Sequence, residues 1–276
     1  MEFGDITERR HIFLLASGIA FNQLVCLIPL ILLMISIVST FVAEQDVKHT
    51  VETFLTGLLP KGIEAQRAVA DVIYELGVVF SYRSVAGVIA GIALLWLSSA
   101  LFSSMRTGLN AIFHIPTPKF FVLYKLKDLL LTVITAVLIL ITTTMSPILT
   151  AVEEISVKVL GPQAYEPIFG FGAQALSVIA SAVMFYVLYR FVPNRRLPWQ
   201  IVFLATIFAV LGWEAARWAF TYYVNTATNL SRFYGGYIIL ASLALWFYYS
   251  AVVFLISAEL AQYIYVRRTE HQSPAP

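Results

Sequence analysis

Ionisable side chains are rare inside the apolar stretches of this sequence, so the few that occur there are the residues that could do chemistry. Glu214 and Arg217 are three residues apart, which puts both on one helix face and lets them form an ion pair. Glu259 has no cation near it in the sequence, and Arg106, at the end of another apolar stretch and at a comparable depth, is its expected partner. Each pair is either the wall or gate of a substrate path or a packing contact that neutralises itself. The sequence favours neither interpretation over the other.

Two amide side chains, Asn22 and Gln23, fall near the middle of the first apolar stretch. Amides at such a depth usually form hydrogen bonds with neighbouring helices, and this is the favoured interpretation. The alternative is that both residues line a central cavity.

No set of residues in the sequence is arranged for catalysis. The histidines lie outside the apolar stretches or at their rims, and there is no H-E-x-x-H pair or cysteine and histidine cluster to hold a metal. The phosphate-binding and nucleophile-elbow motifs are also absent. Cys26, the single cysteine, sits in an apolar stretch without a nearby histidine, where its thiol stays protonated. We therefore expect no enzyme, no metal site and no cofactor.

The composition places these residues in a membrane protein. Of the 276 residues, 59% are hydrophobic and 12% are charged, against about 25% charged residues in soluble domains. A soluble protein of this size would expose more surface than so few charges can cover. The net charge is +2 and the basic residues cluster only in pairs, so we expect no nucleic-acid partner.

Six apolar stretches are long enough to span a membrane, since about 20 residues at 1.5 Å each cross a ~30 Å hydrocarbon core. They lack the alternation of barrel strands, so they predict helices and an all-α fold. We expect a single transmembrane domain over residues 1–276. Its six spans run approximately from Ile12 to Val42, Val85 to Met105, Leu129 to Val152, Ile168 to Tyr189, Pro198 to Tyr222 and Tyr237 to Tyr263. In the second span, Gly87 and Gly91 form a G-x-x-x-G motif that permits the close approach of another helix.

The connection over residues 43–84 has helical periodicity on both sides of Pro60 and predicts two amphipathic helices on the outer face. We favour packing of their apolar faces on the protein's own bundle. Lipid headgroups and a second subunit are the alternatives.

The distribution of lysine and arginine predicts the orientation in the membrane. Of the basic residues in the connections, 11 lie on the side that holds both termini and 6 lie on the other side. Because cytoplasmic connections carry the excess of positive charge, we expect both termini in the cytoplasm.

The order and spacing of several motifs resemble the YihY family of bacterial inner-membrane proteins, which includes the BrkB-type proteins. The resemblance covers roughly residues 10 to 265, and Gly236 and Ser257 replace other small residues of the family pattern. It implies six helices in the inner membrane with both termini in the cytoplasm. The motifs are Ala20-Phe21-Asn22, Ile28-Pro29-Leu30, Gly108 to Phe113, Val192-Pro193, Trp213-Glu214, Tyr234-Gly235, Trp246 and Ala258-Glu259-Leu260.

The resemblance implies little about activity. The family has carried a ribonuclease label, and its members are associated with envelope integrity and with proposed transport of lipid-like molecules. We expect a transporter or flippase-like protein for an amphiphilic, lipid-like envelope substrate, and alternatively a non-catalytic envelope-assembly scaffold that docks a partner through its outer helices. Expected partners are membrane lipids and an amphiphilic or anionic substrate, with a homo-oligomer as a further option. The expected path or gate residues are Asn22, Gln23, Arg106, Asn110, Glu214, Arg217, Tyr234 and Glu259.

Overall fold

The computed structural model describes residues 11–58, 63–116, 125–135, 162–227 and 237–272, and this part of the chain consists of helices joined by turns. No strand occurs in these residues, which confirms the all-α fold class for them. The helices are α1 (Ile12–Phe41), α2 (Glu44–Leu58), α3 (Ile63–Ser81), α4 (Arg83–Ile112), α5 (125–135), α6 (Pro162–Phe191), α7 (Trp199–Ala227) and α8 (Tyr237–Gln272).

Within the described residues, four helices are long and apolar enough to cross a membrane. They coincide with the first, second, fifth and sixth predicted spans. α6 covers the fourth predicted span, but the apolar helix found in it, Ser177–Phe191, is shorter. Most of the third predicted span lies outside the described residues, so the six-span arrangement stays a prediction. The four candidate spans are Ile12–Thr40, Arg83–Ile112, Trp199–Tyr223 and Leu240–Arg268.

Large apolar side chains are exposed along these candidate spans. Phe21 on α1, Trp96 on α4 and Leu211 on α7 all have most of their surface accessible. On a water-soluble protein such extensive apolar exposure would promote association, whereas on a spanning helix these side chains face lipid tails. The exposed surface therefore agrees with a membrane location.

α2 and α3 occupy the predicted amphipathic insert and pack against each other. Lys48 forms an ion pair with Glu44, one turn earlier on α2, at 2.6 Å. Lys48 also lies over Gly77 of α3, where a Cβ atom would come within 2.8 Å of its Nζ. Two helices are therefore present in the insert, and their place on the outer face of the membrane stays a prediction.

The G-x-x-x-G motif produces a close helix contact at one of its two glycines. A Cβ atom at Gly87 would overlap Ser36 Oγ of α1, and Ser36 donates a hydrogen bond to the Arg83 carbonyl at 2.6 Å. Arg83 in turn donates to the Ser39 carbonyl at 2.9 Å. At Gly91 no described atom lies within 4 Å of the corresponding position. The close approach of α1 and α4 therefore depends on Gly87.

α4 ends in a Schellman motif. His114 has a positive φ of 53°, and the Ile115 N–H donates to the Asn110 carbonyl at 2.9 Å. This bond satisfies a carbonyl that the helix end would otherwise leave without an intrahelical partner. The chain thus leaves α4 in a defined direction just beyond Arg106 and Asn110.

The chain divides into two compact units. The second unit is Ser17–Leu101 and Ala216–Ala251, and its described core includes Ile19, Val69, Leu76, Phe80 and Ala90. The first unit is Met1–Ala16, Phe102–Ala215 and Val252–Pro276. Its described core comes from the start of α1 and from α4, α5, α6, α7 and α8, and it includes Leu109, Ile112, Tyr189, Val202 and Leu255.

Candidate functional site

A buried ion pair joins α4 to α5 in the first unit. Arg106 Nη1 and Nη2 donate to Asp128 Oδ1 and Oδ2 over 2.5 and 2.6 Å. Arg106 is 7% exposed and Asp128 is 1% exposed. Two parallel hydrogen bonds of this kind are the bidentate geometry in which guanidinium groups bind carboxylates and phosphates. Each charge would be costly to bury alone, so each residue depends on the other.

Two helices supply the members of this pair. Arg106 lies six residues before the end of α4, and Asp128 lies in the described part of α5.

Lys127 connects α5 to residues 192–198, the loop between α6 and α7. Its Nζ donates a hydrogen bond to the Pro193 carbonyl at 2.9 Å. Burial lowers the pKa of Lys127, the nearby positive charge of Arg106 lowers it further, and the Asp128 carboxylate opposes this shift. Lys127 is half-buried and precedes the predicted third span.

Asn110 and Asn194 connect the same loop to α4. The backbone N–H of Asn194 donates to Asn110 Oδ1 at 3.2 Å, and Asn110 is buried. Asn194 Oδ1 is also buried and has no hydrogen-bond partner among the described residues. We call these five residues, Arg106, Asn110, Lys127, Asp128 and Asn194, the Arg106 cluster. It holds α4, α5 and the loop together.

Glu259 lies in the same unit, on α8, and is buried. One turn earlier on α8, Leu255 packs on α4, where a Cβ atom at Gly108 would lie 2.8 Å from Leu255 Cδ2. About one turn after Glu259, Gln262 Oε1 is buried without a hydrogen-bond partner among the described residues. α8 therefore carries buried polar groups and packs on the helix that holds Arg106. The predicted contact of Arg106 with Glu259 stays a prediction, and the partner shown for Arg106 is Asp128.

The predicted amide pair lies in the second unit, on α1. Asn22 Nδ2 donates to the Gly18 carbonyl at 2.9 Å, which is a bond within its own helix. Gln23 Oε1 is buried without a hydrogen-bond partner among the described residues. The favoured interpretation, in which these amides bond to neighbouring helices, stays a prediction, and the bond to Gly18 uses a carbonyl one turn earlier on the same helix.

Three predicted residues remain: Glu214, Arg217 and Tyr234. Glu214 and Arg217 are half-buried on α7 and are assigned to the first and second units, respectively. Their predicted ion pair stays a prediction. Tyr234 lies outside the described residues.

Sequence reasoning missed Asp128 and Tyr189. Asp128 occurs among lysines in a connection where only cations had been considered for their effect on orientation. Tyr189, fully buried on α6, stacks on Phe254 with ring centroids 4.9 Å apart, and its hydroxyl donates to the Phe254 carbonyl at 2.7 Å. A buried tyrosine usually needs a hydrogen-bond partner for its hydroxyl. The position of Tyr189 at the end of a predicted span could therefore have indicated such a contact.

The chemistry of the Arg106 cluster is that of hydrogen-bond donors suited to an anion. The Arg106 guanidinium and the Lys127 ammonium carry donors only; two N–H groups of Arg106 bind the Asp128 carboxylate, and one of Lys127 binds the Pro193 carbonyl. Within the described residues no group of three or more His, Cys, Asp or Glu side chains could hold a metal ion. The arrangement can therefore bind an anionic group, hold three segments together, or do both.

The family model described as "Virulence factor BrkB" matches residues 5–276. The chain belongs to the BrkB family. This confirms the resemblance to the YihY and BrkB-type proteins, and the whole Arg106 cluster lies within the matched residues.

Relatives of this BrkB-family chain are named as membrane proteins. A "UPF0761 membrane protein" of Prosthecochloris aestuarii is 27% identical over 93% of this chain and 58% of its own length. Another, from Pseudoalteromonas atlantica, is 25% identical over 96% of this chain and 85% of its own. The "Putative ribonuclease-like protein YfkH" of Bacillus subtilis is 23% identical over 64% of this chain and 65% of its own. The chain thus spans less than two-thirds of some of these relatives. No solved structure matches it.

Proposed function

We propose that the protein moves an amphiphilic, anionic molecule of the cell envelope across the bacterial inner membrane, as a transporter or flippase that does not use ATP. The supporting observation is the buried bidentate pair of Arg106 and Asp128 at the end of a candidate span. Charged residues within membrane segments are rare and commonly mark substrate pathways.

In this proposal Asp128 is a resident anion that the substrate headgroup replaces or joins. A phosphate group accepts the same two parallel hydrogen bonds from a guanidinium that a carboxylate accepts. Asn110, in the same cluster, and Glu259, in the same unit, are the further candidates for the path. Cytoplasmic termini would place this cluster at the cytoplasmic end of the path.

Reconstitution into liposomes tests this proposal. Phospholipids with a fluorophore on the headgroup are added, and the loss of fluorescence on adding an impermeant quencher reports how fast they cross the membrane. We expect Arg106→Gln to lower the rate at least tenfold relative to the wild type. Arg106→Lys should also lower it, because lysine keeps the charge but lacks the planar fork. Arg268→Gln, an exposed cation of the same unit, is the matched control.

Asp128→Asn separates a binding role of the cluster from a purely structural one. If Asp128 occupies the substrate's position, this variant should need less substrate to reach half of its maximal rate. Lower stability is expected in either case, but a purely structural pair would leave the substrate dependence of the folded protein unchanged. Equal rates in the wild type, the Arg106 variants and protein-free liposomes would contradict transport of these lipids.

A second candidate function is that of an envelope-assembly scaffold, which the surface of α3 favours. Val72, Tyr74 and Val78 are exposed there, and Tyr74 has 72% of its surface accessible. A photo-crosslinker at Tyr74 should then capture one defined protein, whereas the same group at exposed Glu52 on α2 should not. Capture of lipid alone, or of the chain itself, would count against the scaffold.

A further inference from the structure

Four cations of the first unit gather at residues 192–198, the loop between α6 and α7. Arg195 and Arg196 lie within this loop and are exposed. Lys127 and Arg190 are half-buried, and each donates a hydrogen bond to a backbone carbonyl of the loop, at 2.9 and 2.8 Å. We call Lys127, Arg190, Arg195 and Arg196 the cationic loop site.

Acidic side chains do not balance this positive charge at the surface. In the first unit the acidic residues whose side chains the structure describes are Asp128, Glu214 and Glu259. Asp128 and Glu259 are buried, and both oxygens of Asp128 bind Arg106. Glu214 is half-buried. The described surface of this unit therefore presents cations without exposed carboxylates, which makes it complementary to an anion from outside.

Apolar side chains flank the loop on both sides. Phe191, the last residue of α6, is exposed, and Trp199, the first residue of α7, is 70% exposed. Trp199 also begins the candidate span Trp199–Tyr223. Tryptophan is enriched where a span meets the lipid headgroups, because its ring is apolar and its N–H is polar. The loop thus combines exposed cations with apolar side chains at a span end.

We propose that the cationic loop site binds the headgroup of an anionic membrane phospholipid. In this site the exposed Arg195 and Arg196 contact the phosphate, and the half-buried Lys127 and Arg190 add positive charge behind them. The acyl chains lie along Phe191 and Trp199. Basic clusters next to spans attract anionic lipids in this way. The site does not depend on the proposed transport, since a lipid held here would serve a transporter or a scaffold equally.

Native mass spectrometry of the purified full chain in detergent tests the site. Phosphatidylglycerol and phosphatidylcholine with the same acyl chains are titrated, and the bound fraction of each is counted. We expect the wild type to bind phosphatidylglycerol at least tenfold more tightly than phosphatidylcholine. The double variant Arg195→Gln/Arg196→Gln should weaken phosphatidylglycerol binding about 30-fold at low salt, since each surface cation contributes about a fivefold effect.

The matched control is Arg267→Gln/Arg268→Gln, which removes the same charge from two exposed arginines of the same unit. It should change phosphatidylglycerol binding less than twofold. Equal losses in the two double variants would show a general effect of surface charge and would overturn the proposal. So would unchanged binding in the loop variant. Competition by millimolar inorganic phosphate would show that the site takes the free anion rather than the lipid. A failed transport assay would leave this result unaffected.

Discussion

Asp128→Asn should destabilise the protein by about 3–5 kcal/mol, because it leaves the Arg106 charge buried without its counter-ion. The two side chains are 9% and 2% exposed, so water screens their interaction little. Arg106→Gln should cost a similar amount for the converse reason.

The pair Arg106→Met/Asp128→Leu provides the decisive comparison. Replacing both charges by apolar residues removes the unpaired charge together with the favourable interaction, so the double variant should be far more stable than the sum of the single effects predicts. We expect a coupling free energy of at least about 2 kcal/mol between the two positions, obtained with Arg106→Met and Asp128→Leu as the single variants.

The assay is reversible unfolding of the purified protein in mixed micelles, followed by helical circular dichroism as the denaturing detergent is increased. Arg268→Gln serves as the control for loss of an exposed arginine in the same unit. Single effects below about 1 kcal/mol that add in the double variant would refute the reasoning, because they would show that neither charge depends on the other.

Three smaller predictions concern helix packing, protonation and a helix end. Gly87→Ala should destabilise the folded protein by about 1–3 kcal/mol, because its Cβ atom would meet Ser36. Gly91→Ala should stabilise the folded protein by up to about 1 kcal/mol, because no described atom lies close to its Cβ position. Thermal unfolding of both variants measures the difference. The lowered pKa of Lys127 means that the unfolded chain binds more protons between that pKa and the ordinary lysine value near 10.4, so stability should rise with pH there. The Lys127→Met variant should not show this rise in stability when its unfolding is measured from neutral pH to about pH 10. At the positive φ of His114, glycine should be more stable than valine by about 1–2 kcal/mol, measured by the same melts.

Opposite outcomes are equally informative. Destabilisation by Gly91→Ala equal to that by Gly87→Ala would mean that both glycines face a helix. An unchanged pH profile in Lys127→Met would assign the rise to other groups. Equal stability of the His114 glycine and valine variants would argue against the Schellman geometry.

The positions of the helices were largely predictable because apolar side chains define them. The predicted first span begins at Ile12, as α1 does, and ends one residue beyond Phe41. The second span was predicted to end at Met105, whereas α4 continues to Ile112. Arg106 ends the apolar run without ending the helix, because helix continuity depends on backbone hydrogen bonds and on the turn at His114.

The partner of Arg106 could not be predicted in the same way. Depth along a helix supplies one coordinate of a residue, and residues at equal depth on different helices need not touch. Glu259 was selected by depth alone, while Asp128, 22 residues from Arg106 in sequence, was not considered as a partner. Only the packing of α5 on α4 brings it to the guanidinium.

The ion pair with Asp128 changes how Arg106 could recognise an anionic substrate. With Asp128 bound, the pair carries no net charge, so an approaching phosphate would gain little from long-range attraction. What the guanidinium offers is a set of N–H donors held in one fixed plane, two of which bind Asp128. Selection would then depend on hydrogen-bond geometry, which lysine cannot reproduce although it keeps the charge. Arg106→Lys is therefore a sharper test of binding than Arg106→Gln, because a role in charge balance alone would survive it.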